Sequence, residues 1–120
     1  MKKILVVEDN ELNLELACQV LEEHYELVTA TNGEEALAAV RTEAPDLVLM
    51  DLSMPVMDGW EATRRLRADP ATARLPIVAL TAHAIKDELA RAEAAGCSAL
   101  LTKPLDEDQL LAKLREILGP

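Results

Sequence analysis

Short aliphatic runs alternate along the chain with stretches in which apolar positions recur every three or four residues. Ile4-Leu5-Val6-Val7 is the first run, closed by Glu8-Asp9. A run apolar at every position, rather than at every second one, is what a strand covered on both faces requires. Leu27-Val28-Thr29-Ala30, Leu47-Val48-Leu49-Met50 and Ile77-Val78-Ala79-Leu80 repeat the pattern. Ala99-Leu100-Leu101 is a weaker fifth strand, accepted for its place in the rhythm. Between the runs the spacing predicts helices from about Glu11 to His24, Glu34 to Glu43, Trp60 to Ala68, Ile85 to Ala95 and Asp106 to Leu118.

Asp9 or Asn10 is placed to cap the first helix. Its apolar stripe reads as Leu12, Leu16, Ala17, Val20 and Leu21, with Leu14 at the margin. Acids open the second and last helices, and Lys113 and Arg115 sit near the end of the last, as the helix dipole favours. Asn32-Gly33 reads as turn chemistry, Pro55 with Asp58-Gly59 as a loop, and Asp69-Pro70 with Pro76 as a longer connection. Gly96 stops the fourth helix. Five strand–helix units in succession predict an α/β fold, a doubly wound parallel sheet with helices on both faces and right-handed crossovers. Ligands of such sheets bind beyond the carboxyl ends of the strands.

Composition sharpens this picture. The 120 residues suit one domain over 1–120. Half are apolar, yet there is one Trp, one Tyr and no Phe, so the core must be aliphatic. A net charge of −10 argues against nucleic acid, which needs a basic footprint, and against an anionic membrane surface. It suits cations and partners with basic patches. Cys18 and Cys97 lack metal-ligand spacing and read as small buried or half-buried thiols. The opening apolar run is too short for a signal peptide, and no stretch is long enough to span a bilayer. The expected compartment is the cytoplasm.

The strand ends carry the chemistry. The first strand delivers Glu8 and Asp9, the third Asp51, the fourth Thr81 and the fifth Lys103. A parallel sheet gathers these on one edge. Clustered carboxylates repel one another unless a cation sits among them, and hard oxygen ligands suit Mg²⁺. Mg²⁺ beside a carboxylate and a lysine is a site for a phosphoryl group, with Thr81 able to donate a further hydrogen bond. Taken singly, each residue has a plain reading as a helix cap, a turn residue, a strand end or a surface lysine; four such coincidences at one edge are much the less economical account.

Four motifs in order at these strand ends make the chain resemble the receiver domains of two-component response regulators, the CheY-like family. They are Val7-Glu8-Asp9-Asn10, Met50-Asp51 with Met54-Pro55 and Met57-Asp58-Gly59, Leu80-Thr81-Ala82, and Leu101-Thr102-Lys103-Pro104. The resemblance covers essentially the whole chain and implies strand order 2-1-3-4-5. It implies that Asp51 takes a phosphoryl group from a phosphohistidine of a sensor histidine kinase or a histidine phosphotransfer protein. It implies that Asp9 ligates Mg²⁺ directly, Glu8 mostly through water, and the Ser53 backbone carbonyl completes the protein's share. Lys103 would pair with the phosphoryl group, a cis bond would join Lys103 to Pro104, and Thr81 would carry the signal to the face of the fourth helix, fifth strand and fifth helix. Ser53 and His83 would border the pocket and influence hydrolysis of the acyl phosphate. Many receivers carry Tyr or Phe where this chain has Leu100, so the aromatic part of the usual switch is missing here.

The remaining candidates read plainly. His24 is a C-terminal helix cation, His83 a lone histidine, Trp60 a ring packed over the start of the third helix, and Asp106-Glu107-Asp108 helix-start chemistry. Leu14 is core margin, or secondarily a contact for a phosphotransfer helical bundle. An aspartyl phosphatase would place a second Asp where this chain has Ser53. A nucleotide or flavin binder would need a glycine-rich first loop, and Glu8-Asp9-Asn10-Glu11 is acidic and glycine-free. A non-phosphorylated adaptor would not need the full acid, Thr and Lys set. Two roles stay open within the receiver reading: a stand-alone regulator or relay, and a receiver from a hybrid histidine kinase or longer regulator. The sequence runs to Gly119-Pro120, with no output domain in it. The expected partners include a downstream protein target, and the expected state is a monomer or a phosphorylation-dependent dimer.

Overall fold

Each aliphatic run forms a strand and each amphipathic stretch a helix. The computed structural model describes residues 1–52, 58–81, 86–102 and 106–119, leaving aside the side chains of 86–89 and 92. The strands are β1 (Lys3–Val7), β2 (Glu26–Ala30), β3 (Leu47–Asp51), β4 (Ile77–Thr81) and β5 (Ala99–Thr102). The helices are α1 (Glu11–Leu21), α2 (Gly33–Glu43), α3 (Gly59–Ala68), α4 (Lys86–Ala95) and α5 (Glu107–Leu118). All strand pairs are parallel, in the order β2-β1-β3-β4-β5, the doubly wound arrangement expected. Among the described residues no helix is long and apolar enough to cross a membrane.

Side-chain alternation along the inner strands divides the core between the two sheet faces. Ile4, Val6, Leu47, Leu49, Val78 and Leu80 face α1 and α5, where Ala17, Leu21, Leu110 and Leu114 meet them. Leu5, Val7, Val48, Met50 and Ile77 face α2 and α3, meeting Ala36, Val40, Ala62 and Leu66. Burying one such aliphatic side chain fully contributes about 1.5–3 kcal/mol. The inner strands are therefore fixed by burial on both faces. The edge strand β5 is only half-buried, and this is why its sequence signal was weak.

The structure corrects three local expectations. First, α1 ends at Leu21, and His24 and Tyr25 both donate backbone N–H groups to the Leu21 carbonyl in the turn that follows. Second, Leu12 and Leu16 are 63% and 50% exposed. Leu14, placed at the core margin from sequence, is partly buried there and packs against the cluster that holds Ala17 and Leu21. Two leucine sets with helical spacing lie on this helix, and only tertiary contact decides which is buried. Third, Asn32-Gly33 is not a free turn. Asn32 caps α2, accepting from the Glu35 N–H at 2.9 Å, and Gly33 is the first helical residue. At the other end of the chain's helices, Gly96 terminates α4 at φ +102°, and a Cβ there would press on the Arg67 side chain.

Candidate functional site

The carboxyl rim of the sheet is built by three strands that stay buried one residue further than their aliphatic runs. Val7 pairs with Met50 in the register of β1 and β3, so the next residues, Glu8 and Asp51, are neighbours. Glu8 extends the strand pairing by donating its N–H to the Ala30 carbonyl at 3.0 Å. Glu8 shares strand parity with Ile4 and Val6, and Asp51 with Leu47 and Leu49, so both belong to the same sheet face. Asp9 follows, exposed, before Asn10 turns the chain into α1 by accepting from the Asn13 N–H at 3.0 Å.

Glu8, Asp9 and Asp51 each bring one carboxylate oxygen within 4.8 Å of the others. Glu8 is 2% and Asp51 3% exposed. Three like charges so close, two of them in a low-dielectric setting, favour a cation among them. The donors are all carboxylate oxygens, and one side of the cluster is open at Asp9. That set fits a hard divalent cation that keeps part of its water shell, as Mg²⁺ does.

Thr81, at the end of β4, is 6% exposed. It lies beside Thr102 in the β4–β5 register, and Lys103 follows Thr102 directly. Lys103, with the expected cis bond to Pro104, lies outside the described residues, as do Ser53 and His83.

One residue of the site was misjudged as loop. Gly59 opens α3, and its N–H reaches the Leu52 carbonyl at 3.3 Å. A Cβ on Gly59 would collide with the Asp51 carbonyl oxygen and the Leu52 backbone, so only glycine lets α3 start against the end of β3. Asp58 caps this helix, accepting from the Glu61 N–H at 2.9 Å. The usable signal was Asp58-Gly59 standing directly before a helical pattern, a cap followed by the first helical residue.

Trp60 comes next and is buried, with Leu52, Ala79 and Ala95 around it and Leu100 packed alongside. The Arg91 guanidinium stands 4.3 Å from its ring centroid. Both cysteines are free and half-buried. Burial pushes their thiols above the ordinary value, with Glu22 adding to the effect at Cys18, so neither is poised as a thiolate nucleophile. A cavity of about 660 Å³ lined by Met1, Lys2, His24, Tyr25, Arg115 and Gly119 lies at the amino edge of the sheet, away from the acidic cluster.

Comparison with known proteins gives one family. Residues 4–115 match the family model of the response regulator receiver domain. The polar-differentiation response regulator DivK of Brucella anthropi is 37% identical over 119 residues, covering 98% of this chain and 97% of the relative. The chemotaxis protein CheY4 of Vibrio cholerae superposes with a TM-score of 0.92 at 30% identity, covering 98% of both chains. The receiver domain of a sensor histidine kinase from Pseudomonas aeruginosa, solved with a magnesium ion coordinated in its active-site cleft, superposes with a TM-score of 0.91 at 33% identity, covering 99% of this chain and 98% of that one.

Proposed function

The chain belongs to the response regulator receiver domain family, and from that premise we propose that Asp51 is its phosphoacceptor. A receiver is a signalling domain of two-component systems. The finer reading concerns which residues of this chain do the work, and the observation that carries it is the cluster of Glu8, Asp9 and Asp51 at the carboxyl rim.

Asp51 forms an oxygen–phosphorus bond as the phosphorus–nitrogen bond of a donor phosphohistidine breaks. The electron pair leaves with the imidazole nitrogen. The charge problem is severe, because an anionic phosphoryl group approaches a carboxylate cluster. Glu8, Asp9, Asp51 and the Ser53 backbone carbonyl would hold Mg²⁺. When bound, the ion supplies positive charge against the phosphoryl oxygens. Lys103 pairs with the same oxygens, and the Thr81 hydroxyl donates to one of them. Positioning and charge stabilisation are the whole of the catalysis, as is general for phosphoryl transfer. Burial of Asp51 shields the acyl phosphate from water on the sheet side.

The donor is a sensor histidine kinase or a histidine phosphotransfer protein, and the output is a protein contact rather than nucleic-acid or membrane binding. The net charge of −10 supports this. The free thiols suit a cytoplasmic setting. One domain, over 1–120, carries the activity.

The test is intact mass after incubation with acetyl phosphate or phosphoramidate. One added phosphoryl group should appear with Mg²⁺, disappear with chelator and be absent in Asp51→Asn. A folded protein that gains no group and forms no beryllofluoride complex overturns the reading.

A further inference from the structure

We infer that Trp60 and Arg91 form a latch through which the state of the acceptor site reaches α4, an inference that rests on the phosphoacceptor role proposed for Asp51. The connection begins in the backbone. Leu52 follows Asp51, donates its N–H to the Leu80 carbonyl at 3.1 Å and accepts from Gly59 at 3.3 Å. The missing Cβ of Gly59 lets the first turn of α3 rest on the Asp51 carbonyl. A shift at the end of β3 therefore moves the start of α3, and Trp60 is the next residue.

The Trp60 ring belongs to a small apolar cluster separate from the two main ones. Leu52 of the acceptor segment, Ala79 of β4 and Ala95 of α4 form it, with Cys97 and Leu100 packed against it. Arg91, exposed on α4, covers the ring with its guanidinium. An exposed cation–π pair between two helices is weak enough for a small shift of either helix to break it.

The far end of α4, where Ala95 joins the same cluster, is held by Arg67 as well. Arg67 of α3 donates from Nε to the Gly96 carbonyl at 2.7 Å and from Nη1 to the Thr72 carbonyl at 3.3 Å. Gly96, at positive φ, is the point where the chain turns out of the helix. So α4 is hinged at Gly96 and latched near Arg91. Release of the latch frees the helix to swing about its carboxyl end.

The experiment is amide hydrogen exchange in the full chain, for wild type and Arg91→Gln, with and without Mg²⁺ and beryllofluoride. The fluorine NMR signal of bound beryllofluoride reports occupancy. Without the ligand, Arg91→Gln should speed exchange in α4 about fivefold, the loss of one exposed cation–π pair, and leave α5 unchanged. With ligand bound, wild type should change its α4 exchange while Arg91→Gln should not. Trp60→Phe keeps a ring face and should keep most of the response. An equal α4 response in wild type and Arg91→Gln, with beryllofluoride bound in both, overturns the latch and leaves the phosphoacceptor reading standing. Absence of a bound fluorine signal from both proteins overturns that reading and the coupling with it.

Discussion

Within each inner strand two regions meet, and the chemistry changes in a single residue. β1 buries Ile4 to Val7 and then Glu8; β3 buries Leu47 to Met50 and then Asp51; β4 buries Ile77 to Leu80 and then Thr81. Solvent is excluded equally on both sides of each step, but the energetic sign differs. The aliphatic residues gain from leaving water, whereas a buried carboxylate costs several kcal/mol unless partnered. The sheet interior thus supplies stability, and the rim holds groups that stability alone would not select. The function we propose is concentrated where the two regions join.

The largest effect should come from the interior. Leu49→Ala opens a hole in the cluster between the sheet, α1 and α5, and should cost about 2–5 kcal/mol by urea unfolding. The surviving folded fraction should still accept a phosphoryl group, because the rim is untouched; loss of both together would break the division. Next comes the rim. Mg²⁺ at a hundred times its dissociation constant should raise unfolding stability by about 2.7 kcal/mol, and Asp9→Ala should remove most of that gain. An unchanged urea midpoint in Mg²⁺ would contradict a metal site there.

A smaller effect tests the helix that starts against the rim. Asp58→Ala removes the cap bonded to the Glu61 N–H and should lower stability by about 1 kcal/mol. The smallest lies outside both regions. The Thr31 N–H and hydroxyl hold the Glu35 carboxyl below its ordinary value of 4.5. A depressed value means that the contribution is present above 4.5 and is lost as pH falls through the lower native value. The midpoint difference between wild type and Glu35→Gln should therefore be small at neutral pH and vanish in acid. A difference that persists in acid would assign it to packing instead.

Much of this was legible in the sequence. Continuous aliphatic runs closing in Glu8, Asp51 and Thr81 gave the strands and the rim, because burial on both faces leaves no freedom in composition. The stripe of α1 was legible in part: Ala17, Val20 and Leu21 do meet the core, whereas Leu12 and Leu16 compete with Leu14 at similar spacing and only the docked sheet chooses between them. Gly59 looked like a loop residue because its reason is a backbone contact with Asp51 and Leu52, which only the folded arrangement of β3 and α3 creates. The Trp60–Arg91 pair had no sequence signal at all; it joins two helices whose distance only packing sets.

The most direct test of the central claim locates the phosphoryl group by residue. The protein is treated with phosphoramidate and Mg²⁺, reduced with borohydride and digested with trypsin. Borohydride converts an aspartyl phosphate to homoserine. Thr42 to Arg64 form one tryptic peptide, which carries Asp51 together with Glu43, Asp46, Asp58 and Glu61. Fragmentation should find homoserine at position 51. Conversion at any other acid in place of Asp51, from a protein shown to carry the added group, would contradict the account.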